Sequence, residues 1–276
     1  MKKLIITAAV NGGITSRLKH PGVPFTPEEI AQSVYQCWSA GAAVAHIHAR
    51  DEHGNPSYQF EKYHEIAERI RDKCDILINF STSGLNLPPH LDEKEAWNHL
   101  CLRPDIASFN CGSVNHGSKP FINPPALAKR LAIDIAEYKV KAEIEVYHQG
   151  IIGEALALRE QGFLQGTLCF SFALGIPGGA AATCKNLLHF VESIPADSVW
   201  SALGIGKSQL PINLHTMLLG GHVRTGLEDN VYYQYGELAR DNAHLVERLV
   251  TLSREVGREV ASPDEARAIL GIAVRH

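Results

Sequence analysis

Two histidines one residue apart, His46 and His48 in the run from Val44 to Asp51, are the first residues whose type and spacing could do chemistry. On a strand, the period of two puts both imidazoles on one face, close enough to ligate one metal ion, and Arg50 follows on that face. Two ligands do not complete a site. A second stretch, Gly221 to Asn230, lies far downstream and carries Arg224, Glu228 and Asp229. Read as a short strand running into a loop, it sets Arg224, Gly226 and Glu228 on one face and Val223 and Leu227 on the other. A glycine between an arginine and a carboxylate often marks a close approach by a ligand or another backbone. By themselves these ten residues also describe a surface salt-bridge cluster.

Three further groups of polar residues end apolar runs. Lys141 to His148 sets Glu143, Glu145 and Tyr147 on one face. The opposite phase would turn Ile144, Val146 and His148 inward and leave the glutamates among helices, which is worse. Buried carboxylates are expensive without a partner, so Glu143 or Glu145 is expected to meet a cation, with Arg224 the candidate. The runs ending in Ser81, Thr82 and Ser83 and in Ser108 and Asn110 offer hydroxyls and amides that can bond a substrate carboxylate or developing oxyanion, or serve as turn chemistry. Gly175 to Gly179 and Gly204 to Lys207 offer flexible backbone suited to a phosphate or long cofactor, but neither is a Walker motif.

These residues need elements to hold them. Strand-like runs fall at about 3–10, 43–50, 75–82, 105–112, 141–148, 166–174, 198–206 and 222–228. Amphipathic segments lie between them, at about 26–40, 58–73, 92–102, 124–139, 151–161, 181–193, 210–219 and 241–256. The first opens on Thr26-Pro27-Glu28-Glu29, an N-cap with a proline at the first helical position and a capping-box glutamate, and closes at Gly41. Strict alternation of strand and helix implies a parallel sheet. Eight units without a composition break favour an α/β fold of the (β/α)8 TIM-barrel type, one domain over residues 1–276, above an open doubly wound sheet. Gly204-Ile205-Gly206 lacks the rest of a dinucleotide fingerprint.

Barrel closure matters for the chemistry. The active site of such a barrel sits at the C-terminal ends of the strands. The first and last strands become neighbours, with the second one step further on, so Glu228 can join His46 and His48. Two histidines and a carboxylate with an open position form a ligand set of catalytic zinc, though iron and manganese accept the same donors.

Composition sets the boundaries. With 45% hydrophobic residues, 20% charged residues, a formal net charge of -4 and no basic run, the chain reads as an ordinary soluble globule without a nucleic-acid partner. The apolar run after Lys2 and Lys3 breaks at Asn11-Gly12-Gly13, too early for a signal peptide, and reads better as a buried strand. No stretch has the length of a membrane helix. Six scattered cysteines without a C-x-x-C pair point to reduced, mostly buried thiols and a cytoplasmic protein.

Taken together, residues 8–13, Thr26 to Glu29, residues 40–42 leading into His46 to Asp51, residues 108–115 and Gly221 to Asp229 resemble the β-keto acid cleavage enzymes, over nearly the whole chain. The resemblance implies a TIM-barrel zinc enzyme, a homo-oligomer and typically a homotetramer, converting a β-keto acid and acetyl-CoA into acetoacetate and a new acyl-CoA. Zinc would then lie on His46, His48 and Glu228. Arg224, Asp229 and Glu143 would abstract the proton, and Ser81 or Thr82 together with Ser108 would hold the substrate. The amino-substrate member of the family carries an acidic residue where this chain has Ile14, which implies an uncharged, short aliphatic tail. An anionic tail paired with Arg17 or Arg50 is the runner-up.

Two rivals remain at this point. An amidohydrolase-type zinc hydrolase also uses H-x-H on a barrel, but with the pair on the first strand and further histidines after strands five and six. A non-catalytic zinc- or CoA-binding barrel would leave Arg224, Asp229 and Glu143 beside the metal unexplained.

Overall fold

The computed structural model describes residues 2–273. Four short strands come first, Ile6–Ala9 (β1), Val44–Ile47 (β2), Leu77–Phe80 (β3) and Ile106–Phe109 (β4). A hairpin follows, Val114–His116 (β5) with Lys119–Phe121 (β6), then Lys141–Val146 (β7), Cys169–Leu174 (β8), Val199–Gly204 (β9) and His222–Thr225 (β10). Tyr232–Gln234 (β11) and Glu237–Leu238 (β12) form a second hairpin. Eight of these strands close a barrel in the order β1-β10-β9-β8-β7-β4-β3-β2, every pairing parallel. The eight expected runs are these eight strands, and the expected TIM barrel is the observed fold.

Helices Pro27–Ala40 (α1), Phe60–Arg71 (α2), Pro125–Glu137 (α3), Gln149–Glu160 (α4), Cys184–Ser193 (α5), Gln209–Leu218 (α6) and Asn242–Glu255 (α7) fill the crossovers. Local chemistry accounts for where α1 begins and ends. Thr26 accepts from the Glu29 amide, Glu29 returns a bond to the Thr26 amide, and Gly41 caps the other end at φ 113°. The segment read as a helix at 92–102 is a 3-10 stretch over Glu93–Leu102, broken at Trp97, whose indole donates to Asp134 at 2.7 Å. The two hairpins and a last helix, Pro263–Leu270 (α8), lie outside the periodic pattern read from sequence.

The period of two explains how the barrel becomes both a core and a site. Ile6, Ala8, Ala45, Ile47, Ile78 and Phe80 face the helices in one apolar cluster, and Phe109, Ile144, Val146, Phe170 and Phe172 do so in another. The alternate residues point inward and change character along each strand. At the N-terminal end Val44, Leu77, Ile106 and Cys169 form an apolar floor closed by Leu270 of α8. Two residues further along the same strands stand His46, Asn79, Ser108 and Ser171. The polar layer thus lies on the side of the apolar floor nearer the C-terminal ends of the strands, where barrel enzymes carry their active sites.

Among the described residues, no helix is long and apolar enough to cross a membrane. All six cysteines are free; Cys37, Cys111 and Cys169 are buried, Cys74 is half-buried, and Cys101 and Cys184 are exposed.

One core residue carries a stability prediction. His99 is fully buried, stacks on Tyr63 at 3.8 Å between centroids, and has no hydrogen-bond partner on either ring nitrogen. Burial pushes its pKa down to about 3 from an ordinary 6.5. The unfolded chain therefore binds a proton below about pH 6.5 that the folded chain refuses, and stability present above that pH is lost as pH falls toward 3. At pH 5 this costs about 2 kcal/mol. His99→Phe keeps the stacked ring, and chemical denaturation at pH 7.5 and pH 5 is expected to show that much less acid destabilisation than in the parent. Equal acid sensitivity of the two proteins would rule His99 out as its source.

Candidate active site

Each potential ligand reaches the mouth of the barrel by a different route. His46 sits within β2, where Ala9 of β1 and Asn79 of β3 are its ladder neighbours. His48 lies one residue past the end of β2. Glu228 is not on a strand at all, because β10 ends at Thr225. Strand alternation therefore does not deliver it, contrary to the sequence reading. The chain instead turns at Gly226, φ 144°, where a Cβ would overlap the Ala9 carbonyl, and only glycine permits that approach. The Glu228 amide then donates to the same carbonyl at 3.2 Å, which folds the carboxylate back over the mouth.

The result is a compact trio. Nε2 of His46 lies 3.2 Å from Nε2 of His48, and Oε1 of Glu228 is 3.7 Å and 3.6 Å from the two. One ligand atom from each residue falls within 4.8 Å of the others, a spacing suited to one metal ion.

Beside the trio stands Arg224. Its Nε and Nη2 make a two-pronged pair with Asp229 at 3.0 Å and 2.8 Å, and Nη2 also donates to Oε1 of Glu228 at 2.6 Å. Its Nη1 is 3.8 Å from Glu145 and has no hydrogen-bond partner. Hence Glu145 is the carboxylate of β7 that forms the ion pair with Arg224. Glu143 instead accepts from Asn79 Nδ2 at 2.7 Å and feels Arg224 only through space. Asn110 Nδ2 and the Tyr147 hydroxyl both donate to Glu145, at 3.0 Å and 3.1 Å. Asn79 and Asn110 stood in runs singled out for strand-end amides; no sequence signal assigned them to particular carboxylates.

The electrostatics favour a bound cation. Glu145, Glu228 and Asp229 pair with a single guanidinium, and Glu143 lies in the same buried space, so acidic groups there outnumber the one cation that faces them. Burial pushes Glu143 up to about 7 and Asp229 up to about 6, against the pull of Arg224 in both cases. Burial also opposes ionisation of Glu228, but the Arg224 guanidinium, bonded to it, outweighs burial and holds that carboxyl well below the usual range. His46 is pushed down to about 3 by burial, so its imidazole is neutral, the form that ligates metal. Oε2 of Glu228 is buried without a partner. A neutral His46 imidazole next to the ring of His48, an ionised carboxylate with a free oxygen and a surplus of acidic groups fit a divalent cation.

The other residues singled out from sequence fall in three groups. Thr82 and Ser108 bond each other, Thr82 Oγ1 to Ser108 O at 2.6 Å and Thr82 N to Ser108 Oγ at 3.0 Å. Ser81 Oγ accepts from Ser83 N at 3.2 Å. Both serines thus accept through oxygen and keep a hydroxyl proton to donate. Ile14 is exposed on the rim, next to Thr15, whose hydroxyl donates to the Glu228 carbonyl at 3.1 Å. Arg50 departs from its expected place on the histidine face. It is buried, and its three nitrogens donate to the carbonyls of Gly12, Asn11 and Gly54 at 2.7, 2.7 and 2.9 Å. Arg17 pairs with Glu29 in the first turn of α1 at 2.6 Å.

Fold and site together define a class, the TIM-barrel enzymes that work at the C-terminal ends of their strands. Within that class the chain belongs to the β-keto acid cleavage enzyme family, whose model matches residues 3–272. It is 40% identical over 274 residues to a 3-keto-5-aminohexanoate cleavage enzyme of Fusobacterium nucleatum subsp. nucleatum, covering 99% of each chain. It is 35% identical over 272 residues to a 3-oxoadipate:acetyl-CoA acetyltransferase of Cupriavidus necator, covering 97% of this chain and 94% of the other. Among solved structures, the apo form of ObcA superposes with a TM-score of 0.81 at 19% identity, over 92% of this chain and 66% of that one, a likeness of fold.

Proposed function

We propose that the enzyme condenses a β-keto acid with acetyl-CoA and cleaves the product to acetoacetate and a new acyl-CoA, with zinc held by His46, His48 and Glu228. The observation that carries this reading is the trio of potential ligands packed against the Arg224–Asp229 pair. Relatives named as a 3-oxoadipate:acetyl-CoA acetyltransferase and a 3,5-dioxohexanoate:acetyl-CoA acetone transferase support it. Bound zinc would supply Lewis acidity toward the carboxylate and ketone oxygens of the substrate.

The chain's own residues supply the rest. Asp229 takes the proton from the carbon between the two carbonyl groups, because burial raises its affinity for protons, while Arg224 keeps its own proton and holds Asp229 in place. The resulting carbanion attacks the acetyl thioester and expels CoA as thiolate. The thiolate adds to the original ketone carbon, the bond between that carbon and the neighbouring one breaks, and the acetoacetate carbanion takes the proton back. Glu143, with a pKa of about 7, is suited to relay it. Ser81 and Ser108 donate to the substrate carboxylate. No cysteine nucleophile is needed, which distinguishes the scheme from thiolase-like chemistry. We read the protein as cytoplasmic, one domain per chain, and a homo-oligomer, a tetramer by family habit. The test is mass spectrometry of acyl-CoA products from acetyl-CoA and a panel of β-keto acids; an absence of any new acyl-CoA across the panel would count against the reading.

The tail of the substrate meets Ile14, which offers only apolar surface. A substrate ammonium there would lose water without gaining a partner. A short uncharged tail is therefore expected to be favoured over a 5-amino or a dicarboxylic one by about tenfold or more in kcat/KM, the value of one mismatched group in a pocket. Arg50 is committed to main-chain carbonyls, which weakens the case for an anionic tail. Preference for the amino substrate would mean that another carboxylate serves it.

A further inference from the structure

The loop after β1 supplies no ligand, yet two of the three ligand residues rest on it. His48 lies beyond the β2 ladder, and its main chain is held by one side chain. Asn11 Oδ1 accepts from His48 N at 3.1 Å, and Asn11 Nδ2 donates to His48 O at 2.8 Å. The carboxamide thus provides the donor and the acceptor that a continuing strand would provide. Asn11 is fully buried, which leaves these bonds free of competition from bulk water.

The next residue limits Glu228. Gly12 has φ +62°, and a Cβ there would lie 2.5 Å from Glu228 Cγ, so the ligand side chain lies directly against this glycine. The loop is itself restrained from both sides. Arg50 holds the carbonyls of Asn11 and Gly12, both at 2.7 Å. On the other flank Asn242 donates to the Val10 carbonyl at 2.9 Å and accepts from the Leu227 amide at 2.8 Å, tying the residue before Glu228 to the residue before Asn11.

We infer that Asn11 and Gly12 are positioning residues that set the separation of His48 from Glu228, and so the affinity and geometry of the metal site. This rests on the zinc reading above. Outer-shell partners of metal ligands are worth about 10–100-fold in metal affinity, and Asn11 differs from the usual case only in acting on the ligand's main chain rather than its ring.

The test combines three readouts on Asn11→Ala, with His46→Ala beside it. Cobalt(II) affinity, measured by competition with a chelator, is expected to weaken about 10–100-fold in Asn11→Ala, and the visible cobalt spectrum should change intensity and position. In the metal-free protein the His48 amide is expected to exchange with deuterium at least tenfold faster, while core amides keep their protection. A faster His48 amide with parental cobalt affinity and spectrum would reduce Asn11 to a loop fastener and overturn the inference, as would an unchanged exchange rate. If Asn11→Ala does not fold, Asn11→Asp keeps the acceptor for His48 N and lacks the donor to His48 O. Parental cobalt binding by that variant overturns the inference equally. Retention of parental cobalt affinity by His46→Ala would sink the zinc reading and this inference together, whereas its loss there with no change in Asn11→Ala sinks the inference alone.

Discussion

Replacing His46 with alanine is expected to lower the zinc content proposed for this site, one ion per chain, to nearly none, and activity with it by about 10³-fold or more, since Lewis-acid assistance is worth several kcal/mol. The expectation follows from burial. His46 is 1% exposed inside the polar layer, and its neutral ring faces His48 Nε2 at 3.2 Å and Glu228 at 3.7 Å. Removing it leaves one imidazole beside a carboxylate that Arg224 already engages at 2.6 Å, too poor a set to hold the ion. Glu228→Gln should behave alike, because it removes the charge that matches the cation. Elemental analysis of folded variants, judged by circular dichroism and thermal melting, measures this directly. Full zinc occupancy in His46→Ala would mean that the ion binds elsewhere.

Asp229→Asn is expected to do the opposite, retaining zinc while slowing exchange of the substrate's α-proton with solvent deuterium by about 10²–10⁴-fold, the usual share of a positioned base. The substitution preserves shape and one acceptor for Arg224 but removes the charge that makes the two-pronged pair at 3.0 Å and 2.8 Å. It also removes the proton affinity that burial gives this carboxyl. Glu143→Gln is a useful companion, since Glu143 has no ion pair with Arg224 within bonding distance and bonds Asn79 instead. If exchange in Asp229→Asn runs at the parental rate, the proton leaves through another group, and Glu143 becomes the first to examine.

Within the strands themselves, local sequence was sufficient to decide which side a residue faces. Period two alone turned Glu143 and Glu145 inward with Ile144 and Val146 against the helices, and it set His46 in the polar layer. Capping chemistry at Thr26 and Gly41 marked both ends of α1. Eight alternations were enough for barrel closure, and closure brought the last strand next to the first, so the His46, His48 and Glu228 trio was legible before any distance was known.

Partner choice within the site was not legible, because it depends on how far each strand is staggered against its neighbours and on how the loops turn after the strands end. Sequence spacing offered Glu143 and Glu145 equally to Arg224; only the register of β7 brings Glu145 within 3.8 Å and leaves Glu143 to Asn79. Glu228 reaches the histidines through the left-handed turn at Gly226 rather than by continuing the alternation of β10, a backbone conformation that a run of residue types does not reveal. Arg50 followed the histidines in sequence, yet β2 stops at Ile47 and the free chain beyond it swings that guanidinium onto the carbonyls of Asn11, Gly12 and Gly54. Side-chain facing is a local property of the backbone, and sequence carries it. Which two side chains meet across the barrel is set by long-range stagger and by turns with few constraints of their own, and only the folded chain decides it.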